Sequence, residues 1–113
     1  MLHNLRNMDH EKSLQYNDRI IQRLKGIYDP EIPVNIYDLG LVYDIHVDDR
    51  MVAHILMTLT APNCPVAESL PVEVKEKVAA IEGLKGAEVE ITFDPPWDQD
   101  MMSEEAQLDL GFL

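Results

Sequence analysis

One cysteine, Cys64, stands among 113 residues, so no disulfide can form within the chain and no Cys-x-x-Cys pair exists to hold zinc or a cluster from one subunit. Cationic side chains are few: nine Lys and Arg against 21 Asp and Glu leave a formal charge of −12. That balance excludes a phosphate-backbone partner, whose affinity comes from Lys and Arg, and disfavours an anionic membrane surface for the same reason. No apolar run approaches the ~20 residues that cross a bilayer, and Met1 to His10 lacks the apolar core of a signal peptide. The chain is expected to stay in the cytoplasm, where a lone thiol remains reduced. Nucleophile elbow, Walker-type loop, dinucleotide fingerprint and His-Glu-x-x-His pattern are all missing, so the expectation is a protein that is not an enzyme.

What is present is enough apolar residue, 46%, to build one core and no more. Residues 1–12 are polar and aperiodic and read as a flexible lead-in; 13–113 read as a single domain. From Ser13 the residues Leu14, Ile20, Ile21, Leu24 and Ile27 trace the apolar face of a helix that ends near Gly26. Tyr28-Asp29-Pro30-Glu31-Ile32-Pro33 follows as a stiff loop, because each proline holds its predecessor extended. Asn35 or Asp38 is placed to hold a turn before Gly40.

Leu41, Tyr43, Ile45 and Val47 alternate with polar residues, and Met51, Ala53, Ile55, Met57 and Leu59 do the same after Asp48-Asp49-Arg50. With those three as the loop, Val47 pairs with Met51, Ile45 with Ala53 and Tyr43 with Ile55, all apolar side chains sharing one face. That register sets Asp44 opposite His54, with His46 one position along on the outer face. A solvated face is the preferred reading there, since two histidines and one carboxylate are few ligands for a metal.

Val66, Leu70, Val74 and Val78 recur every fourth residue and mark a second helix, continued by Ile81, with Pro65 at its first position and Pro71 kinking it or delaying its regular part. Ala87, Val89, Ile91 and Phe93 form a third strand, expected parallel to the second through a right-handed crossover. Ser103-Glu104-Glu105 caps a short last helix that stops before Gly111. The sum is α/β (α+β): a two-layer sandwich in the order α-β-β-α-β-α, with a small three-stranded mixed sheet packed against helices.

Cys64, just before Pro65 at the expected helix start, lies where unpaired N–H groups and the helix dipole favour a thiolate. The residues alone admit a second reading, an inert and partly buried cysteine. Asp29 and Glu31 are likewise either held ligands or solvated loop carboxylates. Trp97, in Asp94-Pro95-Pro96-Trp97, is either an exposed anchor for a partner or a cover for the sheet edge.

Four ordered blocks then resemble the SufT-type iron-sulfur maturation proteins, a family that includes PaaD-type proteins and the eukaryotic cytosolic iron-sulfur targeting factor. They are the run from Tyr28-Asp29-Pro30-Glu31 to Leu41-Val42-Tyr43; Met57-Thr58-Leu59-Thr60-Ala61-Pro62-Asn63-Cys64-Pro65; Asp94-Pro95-Pro96-Trp97; and Met101-Met102-Ser103-Glu104-Glu105-Ala106. The resemblance spans Ile20 to Leu113. The chain ends at Leu113 without the extra cysteines of the PaaD-type proteins, which favours the SufT-like branch.

The resemblance implies an accessory role in iron-sulfur cluster assembly, transfer or maturation, acting through Cys64 as reactive or ligating thiol. Asp29, Glu31, Thr58 and Thr60 are then its supporting site. Iron or a transient iron-sulfur cluster would be the cargo, and one thiol supplies only one of the ~4 ligands a cluster takes. Cys64 would therefore share it with another subunit, as in a homodimer, or with a client. Assembly proteins and client apo-proteins are the expected partners. The alternative is an adaptor that binds no metal and docks that machinery or its clients through its acidic surface and Trp97.

Overall fold

The computed structural model describes residues 14–60 and 69–112. The lead-in 1–12, Val66 and the Cys64-Pro65 helix start lie outside the described residues. The order of elements is the expected one: α1 (residues 14–24), β1 (Val42–Val47), β2 (Val52–Met57), α2 (Ser69–Ala79), β3 (Gly86–Ile91), a 3-10 turn (Gln99–Met101) and α3 (Glu104–Asp109). The sheet runs β1-β2-β3, with β2 antiparallel to β1 and parallel to β3.

β2 sets the two faces. Ala53, Ile55 and Met57 are buried on one side, where Ala87, Val89 and Ile91 of β3 and Ile45 and Val47 of β1 join them. Helix α2 covers that side with Leu70, Val74 and Val78, at the i, i+4, i+8 spacing that keeps one stripe inward. From α1 come Ile20 and Leu24, both fully buried. Glu73 and Lys77 pair one turn apart on the solvent side of α2, 2.6 Å apart. Pro71 falls in the first turn of the described helix.

Leu14 does not join the core; it is 51% exposed. Six residues before Ile20 is about 120° around the helix from the buried stripe, and Tyr16, one full turn before Ile20, takes the inward position. Phe93 is also outside, because the strand ends at Ile91. Its alternation with Ile91 continues in sequence, but no ladder continues to carry it inward.

The hairpin register differs from the expected one by two residues. Val47 pairs with Ala53, His46 with His54, Ile45 with Ile55 and Asp44 with Leu56. The cause is a longer loop. Asp48 Oδ1 accepts from the N–H groups of Arg50 (2.9 Å) and Val52 (3.0 Å), its carbonyl accepts from Met51 N (3.1 Å), and Met51 takes φ 64° to rejoin the strand. Such side-chain turns are what aspartate offers at a strand end. A shift of two preserves parity, so the inward set survives, but Asp44 loses His54 as its neighbour.

A bulge between Val42 and Asp44 then turns Val42 toward the core and Tyr43 away from it, contrary to the inward position expected for Tyr43. The turn ahead of β1 is held as expected, with Asn35 Oδ1 accepting from Asp38 N at 2.9 Å and Asn35 Nδ2 donating to Asp38 Oδ2 at 2.7 Å. Ser103 caps α3 by accepting from Ala106 N at 3.1 Å.

Gly40 has φ +87°, and a Cβ there would run into the carbonyl of Met101. Gly111 has φ +81° with open space around it. Gly40→Ala should therefore cost about 2–4 kcal/mol, strain plus displaced backbone, and Gly111→Ala only about 1 kcal/mol. Urea denaturation of the two variants checks the difference.

Candidate functional site

Asp29 is buried although its side chain is a carboxyl group, being 8% exposed. Its Oδ2 accepts from the N–H groups of Glu31 (3.0 Å) and Ile32 (2.8 Å), which closes the proline-stiffened loop on itself. Its own N–H donates to the carbonyl of Val34 at 3.1 Å, beside the bridge between Tyr28 and Asn35. Asp29 is thus committed to loop geometry. Glu31 stands beside it with its carboxylate on an exposed residue.

Thr58 follows the last residue of β2. Its N–H donates to the carbonyl of Leu41 at 2.8 Å, while Thr92 N reaches Met57 O at 2.9 Å on the other side. The side chain is fully buried, and Oγ1 has no hydrogen-bond partner among the described residues. A buried hydroxyl left unpaired costs about 1–3 kcal/mol, so this is a polar group placed where packing alone would prefer valine. Thr60 is half-buried two residues on. The expected thiol, Cys64, lies outside the described residues, in the connection from β2 to α2.

The remaining sequence blocks are joined to one another. Trp97 is half-buried against the core and its Nε1 donates to the carbonyl of Leu39 at 2.7 Å. Tyr43 Oη donates to Pro95 O at 2.8 Å and lies 3.6 Å from Met101 Sδ. Ser103 N donates to Asp38 O at 2.7 Å. The 94–97 loop, whose Asp94–Pro95 bond is cis, and the 101–106 segment are thereby clasped onto the turn that carries Gly40. Trp97 thus uses its donor and part of its ring inside the fold.

The outer sheet face carries the histidines and the carboxylate that the sequence placed there, but with other partners. His46 and His54, directly opposite after the register shift, stack with ring centroids 4.7 Å apart and planes 11° from parallel. His54 Nε2 donates to Asp48 Oδ2 at 2.8 Å, its Nδ1 lies 3.6 Å from Glu88 Oε2, and His46 Nδ1 is 3.2 Å from Asp44 Oδ2. The hydrogen bond from His54, with those from the Val52 and Arg50 amides, lowers the Asp48 pKa to about 2 against the drag of partial burial. The signal available in the sequence was Asp48 itself, an aspartate at a strand end that lengthens the loop. Among the described residues no group of three His, Cys, Asp or Glu side chains stands in metal-holding geometry, and no helix is long and apolar enough to cross a membrane.

Residues 17–91 match the model of a family described as iron-sulfur cluster assembly protein. A protein of Porphyromonas gingivalis named Fe-S protein maturation auxiliary factor is 51% identical over 88% of this chain and 95% of its own length. The Fe-S protein maturation auxiliary factor SufT of Staphylococcus aureus is 42% identical over 75% of this chain and 97% of its own. Among solved structures, a domain of unknown function from Bacillus anthracis superposes with a TM-score of 0.85 at 31% identity, covering 92% of this chain and 99% of that one.

Two outcomes follow from the geometry. Trp97→Phe keeps an aromatic ring of smaller size and strands the Leu39 carbonyl, and should lower stability by about 1–3 kcal/mol, read by chemical denaturation. Because the folded-state pKa of Asp48 is depressed from 3.8 to about 2, its contribution is present above the unfolded value and lost as the pH falls through the folded one. The wild type should be more stable than Asp48→Asn from neutral pH down to about 4. The gap should close as the pH drops to about 2, as followed by thermal melts across that window.

Proposed function

The chain belongs to the iron-sulfur cluster assembly protein family, and from that premise we propose that it is an accessory factor in the maturation of iron-sulfur proteins, with the Cys64 thiol meeting iron or a cluster in transit. One observation carries the reading. The chain's sole thiol lies in the connection leaving the carboxyl end of the central strand, six residues after a buried threonine whose hydroxyl no packing argument accounts for. In sheets with parallel strands, that end is where ligand-handling loops gather. A thiolate is also the soft ligand that iron in clusters takes.

A single sulfur holds cargo weakly by itself. It suits a protein that passes a cluster on, sharing it with a second subunit or with a client apo-protein. Thr58, Thr60, Asp29 and Glu31 flank the connection in this reading, the first as a polar group inside the core and Asp29 as the residue that fixes the loop presenting Glu31. Assembly proteins and client apo-proteins are the partners, in a reducing cytoplasmic compartment, and the protein performs no enzymatic turnover of its own. The adaptor reading is favoured by one observation, the net charge of −12, which suits docking without metal.

Anaerobic reconstitution with iron and sulfide, followed by iron counting and absorbance spectroscopy, separates the two. The native chain should take up iron with charge-transfer bands in the visible, and Cys64→Ser should lose both while keeping its circular dichroism. Equal iron in the two proteins, or none in either, would sink the thiol reading.

A further inference from the structure

The sign of the charge reverses on one element. The chain carries a formal charge of −12, yet residues 14–27 hold Arg19, Arg23 and Lys25 against a single acid, Asp18. Arg19, Gln22 and Arg23 stand at i, i+3 and i+4, one stripe on the exposed side of α1. Gly26 continues the stripe without a side chain. The stripe forms one wall of an open groove of about 550 Å³, and Ile81 and Glu82 in the turn between α2 and β3 form the other. That turn is held against α1 at Gly83, where a Cβ would run into the hydroxyl of Tyr16, so both walls belong to the packed fold.

Neither arginine is spent inside the molecule. Among the described residues no carboxylate lies within ion-pair distance of either guanidinium, although Asp18 and Glu82 line the same groove. Arg19 lies over the Tyr16 ring with its Cζ 5.2 Å from the centroid, a contact that occupies the face of the guanidinium and leaves the donors along its edge. Arginine keeps its proton in proteins, so these donors do not depend on a titration. Two guanidiniums one helical turn apart, about 6 Å along the axis, match two carboxylates on alternate residues of an extended chain, about 7 Å apart. The residue between those carboxylates turns to the opposite side, toward Ile81 and Glu82. A carboxylate there would be repelled, and an apolar side chain would meet Ile81.

We propose that the groove between α1 and the α2–β3 turn is a docking site for an extended acidic segment of a partner protein, of the pattern carboxylate-apolar-carboxylate, with Arg19 and Arg23 donating to the carboxylates and Ile81 meeting the apolar residue. The inference rests on the reading of the chain as an accessory that must meet other proteins, and it adds the chemistry by which one of them is recognised. A nucleic acid is a poor occupant, because two arginines stand against a whole chain of −12. A second copy would bring that same charge with it. A short segment brings about two charges, and beyond ~8 Å salt screens them from the acidic remainder of the surface.

The test is a titration of the isotope-labelled full chain with the pentapeptide Gly-Glu-Leu-Glu-Gly, blocked at both ends, followed by amide chemical shifts. Shifts should centre on residues 18–26 and 81–83. Arg19→Gln with Arg23→Gln should weaken binding about fivefold, whereas Lys75→Gln with Lys77→Gln, which removes the same charge from α2, should change it less than about twofold. Replacing the leucine of the peptide by glycine should weaken binding about threefold. Cys64→Ser should dock the peptide unchanged, so loss of iron uptake and loss of docking are read independently. Shifts spread over the rest of the surface, equal losses from the two cation pairs, a leucine that makes no difference, or full binding of Gly-Gln-Leu-Gln-Gly would each overturn the proposal. So would inorganic phosphate moving the same amides at micromolar concentration, which makes a small anion the occupant, or a dimer in sedimentation that the Arg19 and Arg23 changes dissolve, which makes it a second copy.

Discussion

Everything in this fold answers to the central strand. β2 is hydrogen-bonded on both sides and must put Ala53, Ile55 and Met57 under the helices, so its polar alternates are driven to the opposite surface with no freedom to exchange. That one constraint sorts the molecule into a packed side and a charged side. The helices serve the first. The second is left to His54, Glu88 and their neighbours, whose chemistry is therefore a by-product of parity.

The same constraint explains how far the sequence could be read. Face assignment along β2 and β3, the i+4 stripe of α2, the Ser103 cap and the parallel placement of β3 all follow from period and spacing, and the structure holds them. Loop length does not follow from period. Asp48 draws two amides into its own turn and moves the pairing by two residues, a change that the hydrophobic pattern tolerates and so cannot report. The bulge at Tyr43 escaped for a similar reason: either Val42 or Tyr43 fills an inward position, and what decides is a hydroxyl finding Pro95, 52 residues away. Leu14 and Phe93 show the limit at element ends, where alternation persists beyond the packing that gave it meaning.

The candidate site was legible as a set of blocks, though not as a division of labour among them. Asp29 and Trp97 had two roles open in sequence, Tyr43 read as an inward strand residue and Ser103 as a helix cap, yet each spends hydrogen bonds on holding segments together. Much of what makes the four blocks recognisable is joinery between distant stretches of chain. Thr58 differs from them, being buried without a partner among the described residues, and composition could not have revealed that its hydroxyl is shut inside the core.

The order β1-β2-β3 leaves both outer strands as margins of the sheet among the described residues, and an unpaired margin invites another chain to continue the ladder. Here Asp44 lies on one margin and Glu88 and Glu90 on the other. Two copies sliding together strand against strand would bring carboxylate toward carboxylate, so the rim of the sheet discourages fibre-like stacking.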